Sequence, residues 1–84
     1  MADIRTAYDE LTDVLYFSVG KPSREARSCS DEHGLVWRTL PSGECVGVTI
    51  PNAHSWARRV NDLRVIVSEK LKVSRRAVRI PEFA

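Results

Sequence analysis

Tyr8-Asp9-Glu10-Leu11-Thr12-Asp13-Val14-Leu15-Tyr16-Phe17-Ser18-Val19-Gly20 sets a polar turn between an extended segment and a β-branched, aromatic run that ends at glycine. That is the pattern of the first hairpin of a small sheet. Upstream, Ile4, Thr6 and Tyr8 alternate with Arg5 and Ala7, and the Asp9 side chain is placed to cap the turn through Glu10, Leu11 and Thr12. In the second strand, Leu15, Phe17 and Val19 share one face and Val14, Tyr16 and Ser18 the other, with the first expected to meet the core.

Working outward, Lys21 and Pro22 break the pattern, and residues 23 to 33 are too polar for a strand to be read with force. A short edge segment around Ala26 to Cys29, guarded by charge, is the alternative there. Extended structure resumes from Leu35 to Leu40, turns at Pro41-Ser42-Gly43, and returns through Glu44 to Ile50, where Val46, Val48 and Ile50 recur at every second residue. Gly47 leaves room for a neighbouring side chain, with Trp37 or Tyr16 as the candidates.

Past Pro51 the apolar period changes from two to about 3.6, and Asn52 is placed to cap a helix through its side chain. Trp56, Val60, Leu63, Val67 and Leu71 form one stripe, while Arg58, Asp62, Glu69 and Lys72 fall opposite. The stripe should cover the sheet. Asn61 and Asp62 are weak helix formers, so a break there competes with one continuous helix of about 18 to 20 residues. Ser74 is placed to cap a short turn through Arg75 to Val78 before Pro81, and an extended Ala77 to Ile80, added to a partner's sheet, is the alternative. Trp37 and Trp56 are read as the largest core residues, one from each layer.

The 84 residues allow one domain and one modest core, because a chain of this size buries only about 60% of its extended surface. A composition of 43% hydrophobic and 29% charged residues favours neither disorder nor a fibrous repeat. Asp3, Arg5, Asp9, Glu10 and Asp13 interrupt any apolar leader near the start, and no run approaches the roughly 20 apolar residues of a membrane span. A cytoplasmic location is therefore expected, with Cys29 and Cys45 reduced.

The net charge of +2 conceals a division: residues 1 to 52 carry five basic and eight acidic groups, and residues 53 to 84 carry eight basic and three acidic. Such asymmetry marks either a surface for an anionic partner or the solvated outside of a helix. Lys70, Lys72, Arg75, Arg76 and Arg79 fall close together, yet no helix-turn-helix or RNA-binding aromatic motif accompanies them.

Chemistry is less legible than architecture. Cys29, His33, Cys45 and His54 are separated by three, eleven and eight residues, which matches none of the paired ligand spacings of zinc modules. Asp9, Glu10 and Asp13 gather at one turn and Asp31 and Glu32 at another, where carboxylates ordinarily cap and solubilise. Neither a glycine-rich phosphate loop nor an activated serine is visible.

Tyr8-Asp9, Asp13-Val14-Leu15-Tyr16, Gly34-Leu35-Val36, Ser42-Gly43 and Val46-Gly47-Val48, in that order, resemble the small bacterial proteins of domain of unknown function 2283. The resemblance covers roughly residues 4 to 53 and implies a fold, with no catalytic residue to carry over. Where the family usually places an acidic turn, this chain has Arg38-Thr39-Leu40-Pro41-Ser42, and its C-terminal helix and basic tail exceed the family's short ending. Relatives in two-gene modules beside a toxin-like protein imply an antitoxin-like or partner-binding role.

These readings converge on an α+β domain: an antiparallel meander of about four strands covered on one face by a C-terminal helix. The sheet occupies residues 1–51, the helix 52–73 and a basic tail 74–84. The expected function is a non-enzymatic interaction module that binds a protein partner, or itself as a homodimer, through the exposed sheet face or the basic segment. Arg58, Arg59, Lys70, Lys72, Arg75, Arg76 and Arg79 are the candidate contact residues. Nucleic-acid association through the tail is the alternative. No cofactor, metal, membrane or small-molecule substrate is predicted.

Overall fold

Alternation is what builds the sheet: side chains on successive strand residues point to opposite faces, so each strand offers every second residue to a single core. The computed structural model describes residues 4–20 and 24–82. The expected break at Lys21 and Pro22, the first three residues and the last two lie outside the described residues. The strands are β1 (Ile4–Asp9), β2 (Val14–Val19), β3 (Arg27–Ser30), β4 (Val36–Thr39) and β5 (Cys45–Pro51), all antiparallel in the order β1-β2-β5-β4-β3. The sheet thus has five strands rather than four. The polar segment forms an edge strand at Arg27–Ser30 with every residue exposed. Its neighbours along the chain pair sequentially, and the two sequential runs, β1-β2 and β3-β4-β5, join through β2 and β5.

Register places Tyr8, Leu15 and Ile50 in one cross-strand row and Thr6, Phe17, Val48 and Trp37 in the next, all on the core face. Pairing of β4 with β5 shifts between Arg38 and Thr39, where Thr39 faces Cys45 rather than Val46. Val46 is the extra residue of this bulge, so Cys45, which otherwise has the wrong parity, packs against the core. Val46 thus drops out of the two-residue series that Val48 and Ile50 carry into the core. The β4–β5 turn closes with Leu40 and Glu44 hydrogen-bonded at 2.8 Å and with Gly43 at φ 93°, a conformation glycine enters without a side-chain clash.

Residues after β5 form a 3-10 segment, Ala53–Arg59, and then helix α1, Val60–Leu71. The expected single helix does break, but at Arg59 (φ −128°, ψ 34°), two residues before Asn61. Three residues per turn align Ala53 and Trp56 on the sheet side and set Arg59 over the Trp56 ring, 4.7 Å from its centre. Four-residue gaps then place Leu63, Val67 and Leu71 on the same side of α1. Helix α1 ends with Lys72 left-handed at φ 56°, a position glycine usually takes, and the Val73 amide donates to the Ser68 carbonyl at 3.0 Å.

One core unites both layers. Leu15, Phe17, Leu35, Trp37, Val48 and Ile50 from the sheet side meet Ala53, Trp56, Leu63, Val67, Leu71 and Val78. The two tryptophans come one from each layer, as the spacing predicts. Val78 belongs to the segment after α1, whose Val73 and Ile80 also pack on this cluster. The basic tail is therefore folded back onto α1 in its described part. A short 3-10 turn at Arg75–Ala77 precedes Val78, with the Ser74 backbone carbonyl accepting from Ala77 at 3.0 Å. The Ser74 side chain makes no cap, and no strand forms over Ala77 to Ile80.

Candidate functional site

Folding the C-terminal segment back creates an open groove of about 770 Å³ between α1 and residues 75–80. Arg64 comes from α1, while Arg75, Arg76 and Arg79 come from the segment; Val65 and Ile80, both half-buried, supply apolar surface between them, and Val78 lies buried beneath. No carboxylate is among the described residues that line it. Arg64 joins the two walls: its Nε donates to the Val78 carbonyl at 3.3 Å and a terminal nitrogen donates to Asn61 Oδ1 at 3.0 Å. A guanidinium carries five donors, and these two bonds engage two of them.

Of the seven basic residues singled out by sequence, the structure brings together Arg75, Arg76 and Arg79. The others lie elsewhere. Arg58 and Arg59 sit on the 3-10 segment, and Arg59 is held by the Trp56 ring and by Asp62 at 3.4 Å. Lys70 lies over the Trp37 ring, 5.8 Å from its centre, and Lys72 forms the left-handed end of α1. Arg64 is the residue that sequence reasoning missed. Its signal was its place beside Leu63, at the margin of the apolar stripe, where a long side chain lies half-buried with its head toward solvent.

Two carboxylates hold the surrounding frame. Asp13 has left-handed backbone geometry, φ 55°, and its side chain accepts hydrogen bonds from the Tyr8 hydroxyl at 2.6 Å, the His54 amide at 3.1 Å and the His54 ring Nδ1. Its carbonyl also accepts from the Ala53 amide at 3.0 Å. Asp13 thereby caps the helical segment that Asn52 was expected to cap; Asn52 is itself left-handed at φ 51° and makes no side-chain cap. The Tyr8 bond first, and the His54 bonds after it, hold the Asp13 carboxyl below its ordinary range. The same bond to Asp13 pushes the Tyr8 hydroxyl up to about 12. Ser55, the hydroxyl beside His54, donates to the Asn52 carbonyl at 2.7 Å and is not presented to the imidazole as a nucleophile.

Asp31 performs the second clamping role. One oxygen accepts from the His33 and Leu35 amides at 2.8 and 2.9 Å, and the other accepts from Trp37 Nε1 at 2.8 Å. Burial is the strongest single influence on this carboxyl and pushes it up, but the three bonds together outweigh it and leave it below the usual carboxylate range.

The cysteines and histidines are dispersed. Cys29 is exposed on the edge strand, burial pushes the Cys45 thiol up, His33 meets the Trp56 ring edge-on, and His54 is engaged by Asp13. Among the described residues no three histidine, cysteine, aspartate or glutamate side chains form a metal-binding group. No helix of the described residues is long and apolar enough to cross a membrane.

No family model, curated protein or solved structure matches the chain. Function is therefore argued from the geometry of the chain's own residues.

Proposed function

We propose that this chain is a non-enzymatic interaction module that captures an acidic, amphipathic peptide segment of a partner protein in the groove between α1 and the C-terminal segment. One observation carries the reading: four arginines surround the half-buried apolar side chains of Val65 and Ile80. Carboxylates of such a peptide pair with guanidinium forks in bidentate geometry, and its apolar side chains cover Val65 and Ile80. A partner-binding, antitoxin-like role is one form of this activity.

Nucleic acid fits the groove less well. Phosphates would pair with the arginines, but no aromatic side chain for base stacking is among the described lining residues. The discriminating measurement is fluorescence anisotropy of the full chain with a labelled peptide alternating glutamate and leucine, beside single-stranded and duplex oligonucleotides, at low and high salt. The expected result is saturable peptide binding that Arg75→Gln with Arg76→Gln weakens about tenfold, roughly 1.4 kcal/mol. Tighter oligonucleotide binding with a steep salt dependence, or no saturable peptide binding, overturns the reading.

A further inference from the structure

At the middle of the open sheet face Arg38 lies over Gly47: its Cδ is 3.8 Å from the point a β-carbon there would occupy. The arginine stem, rather than Trp37 or Tyr16, therefore uses the room at Gly47. The two borders of the sheet offer more. Strands β1 and β3 are terminal, so each has one side whose backbone groups pair with no strand among the described residues. A border of this kind is a template for another strand.

The two edges differ in what they present to a second copy of the chain. Strand β3 is short and carries one charge, Arg27, so an antiparallel copy finds no opposite charge on it. Strand β1 is longer and carries two of opposite sign, Arg5 and Asp9, both exposed and both on the face turned away from α1. Four residues of strand hold them about 13 Å apart, too far to pair with one another. Directly across the ladder β2 sets neutral residues against them, Ser18 for Arg5 and Val14 for Asp9.

A second copy laid antiparallel along β1 supplies both missing partners. A two-fold axis perpendicular to the sheet through Ala7 sets Arg5 of each chain opposite Asp9 of the other, Thr6 opposite Tyr8, and the small Ala7 opposite itself. Residues directly opposite in an antiparallel pair share a face, so each core face continues into the other and both helical layers stay on one side. Neighbouring axes do worse. Through Arg5 or Asp9 like charges meet, and through Thr6 or Tyr8 a charged residue faces Ala7. The Ala7 axis also brings the turn of each copy, with Leu11 98% exposed, beside the half-buried Ile4 of the other. Asp9 keeps its own turn: Oδ1 accepts from the Leu11 and Thr12 amides at 3.0 and 3.4 Å, leaving Oδ2 for the guanidinium of the copy. We infer that the β1 edge is a homodimer interface, in which Arg5 and Asp9 form two symmetric ion pairs about Ala7 and two five-stranded sheets join into one. A ladder of this length falls below the standard interface of about 1,200–2,000 Å², so the dimer forms and dissociates with concentration.

The test is sedimentation velocity of the full chain from roughly 10 μM to roughly 1 mM, in reductant so that the exposed Cys29 cannot cross-link copies. A concentration-dependent dimer is expected. Arg5→Glu turns two attractions into two like-charge contacts and is expected to weaken the dimer at least about tenfold. Ala7→Glu sets two carboxylates face to face on the axis and is expected to abolish it. Asp9→Asn keeps an acceptor for the turn amides while removing the charge, and is expected to weaken the dimer about threefold. Arg5→Glu combined with Asp9→Lys exchanges the charges and is expected to restore association to within about threefold of the original chain. Circular dichroism shows whether the exchange variant folds, and Arg5→Glu with Asp9→Asn decide the matter in either case. Arg75→Gln with Arg76→Gln is expected to leave the dimer unchanged, which separates this edge from the peptide groove. A monomer throughout the range, a dimer that survives Arg5→Glu and Ala7→Glu, or a folded exchange variant that stays monomeric overturns the inference.

Discussion

The two faces of the sheet are woven from the same strands and differ only in parity. Leu15, Phe17, Trp37, Val48 and Ile50 point toward α1 and are all but removed from solvent. Arg5, Ser18 and Arg38 on the intervening positions are exposed, and Tyr16 remains 41% accessible. One face commits its side chains to cohesion and the other presents polar and charged groups to solvent. Substitutions therefore sort by face, with large stability losses beneath α1 and near-neutral stability on the opposite side.

The largest loss is expected from Leu63→Ala. Leu63 is fully buried beneath α1, and truncation there removes apolar contact and leaves a cavity, at about 2–5 kcal/mol. Urea denaturation followed by far-ultraviolet circular dichroism measures it; a loss below about 1 kcal/mol contradicts the packing described. Next comes Asp31→Ala, which strips the acceptor from Trp37 Nε1 and from two amides. Two of these bonds are part-buried and one is exposed, so the loss is expected toward the lower end of the roughly 1–3 kcal/mol that an unpaired buried donor costs. Tryptophan emission is expected to shift red as Trp37 loosens, and an unchanged spectrum with unchanged stability argues against the clamp.

Acid and alkali sharpen the comparison at its border, where Asp13 joins the sheet to the helical layer. Its folded carboxyl lies below the ordinary value, so the folded state favours the ionised form. That stabilisation is present above the unfolded value of about 3.9 and disappears as pH falls through the lower folded value. Tyr8 acts at the other end: its folded hydroxyl is raised to about 12. Its contribution is complete below about pH 10 and is lost as pH rises from there toward 12. Asp13→Asn is expected to flatten both limbs of a stability-against-pH curve, while an unchanged curve removes Asp13 as its origin.

The smallest effect is expected on the open face. Tyr16→Ser removes a side chain that α1 does not cover, and its stability change should stay within about 1 kcal/mol. A thermal-melting shift as large as that of Leu63→Ala would mean that this face is packed against something in solution.

The course of the chain was legible where periodicity is local. Leu63, Val67 and Leu71 announced the buried side of α1, and Leu15 and Phe17 announced the core face of β2, because neighbouring residues alone encode those patterns. Arg27–Ser30 carried no such alternation: an edge strand exposed along its whole length has no buried side to betray it. The bulge at Val46 shifted parity through pairing with β4, which sequence spacing within β5 does not record. The helix cap was hidden for the same reason, since Asp13 reaches His54 across 41 positions while the adjacent Asn52 looked sufficient. At the candidate groove, Arg75, Arg76 and Arg79 were visible as a charge cluster, whereas Arg64 joined them only when Val78 folded into the core.

The seam between β2 and β5 has a kinetic consequence. Each sequential run can close through short loops, but their union brings Val14 to Pro51 and Ser18 to Gly47, contacts that wait on a long and entropically slow closure. The latch from Asp13 to Ala53 and His54 lies just past the end of that seam. Helical order after Pro51 is therefore expected to mature only as the central strands zip together, making this late encounter the step that sets the folding rate.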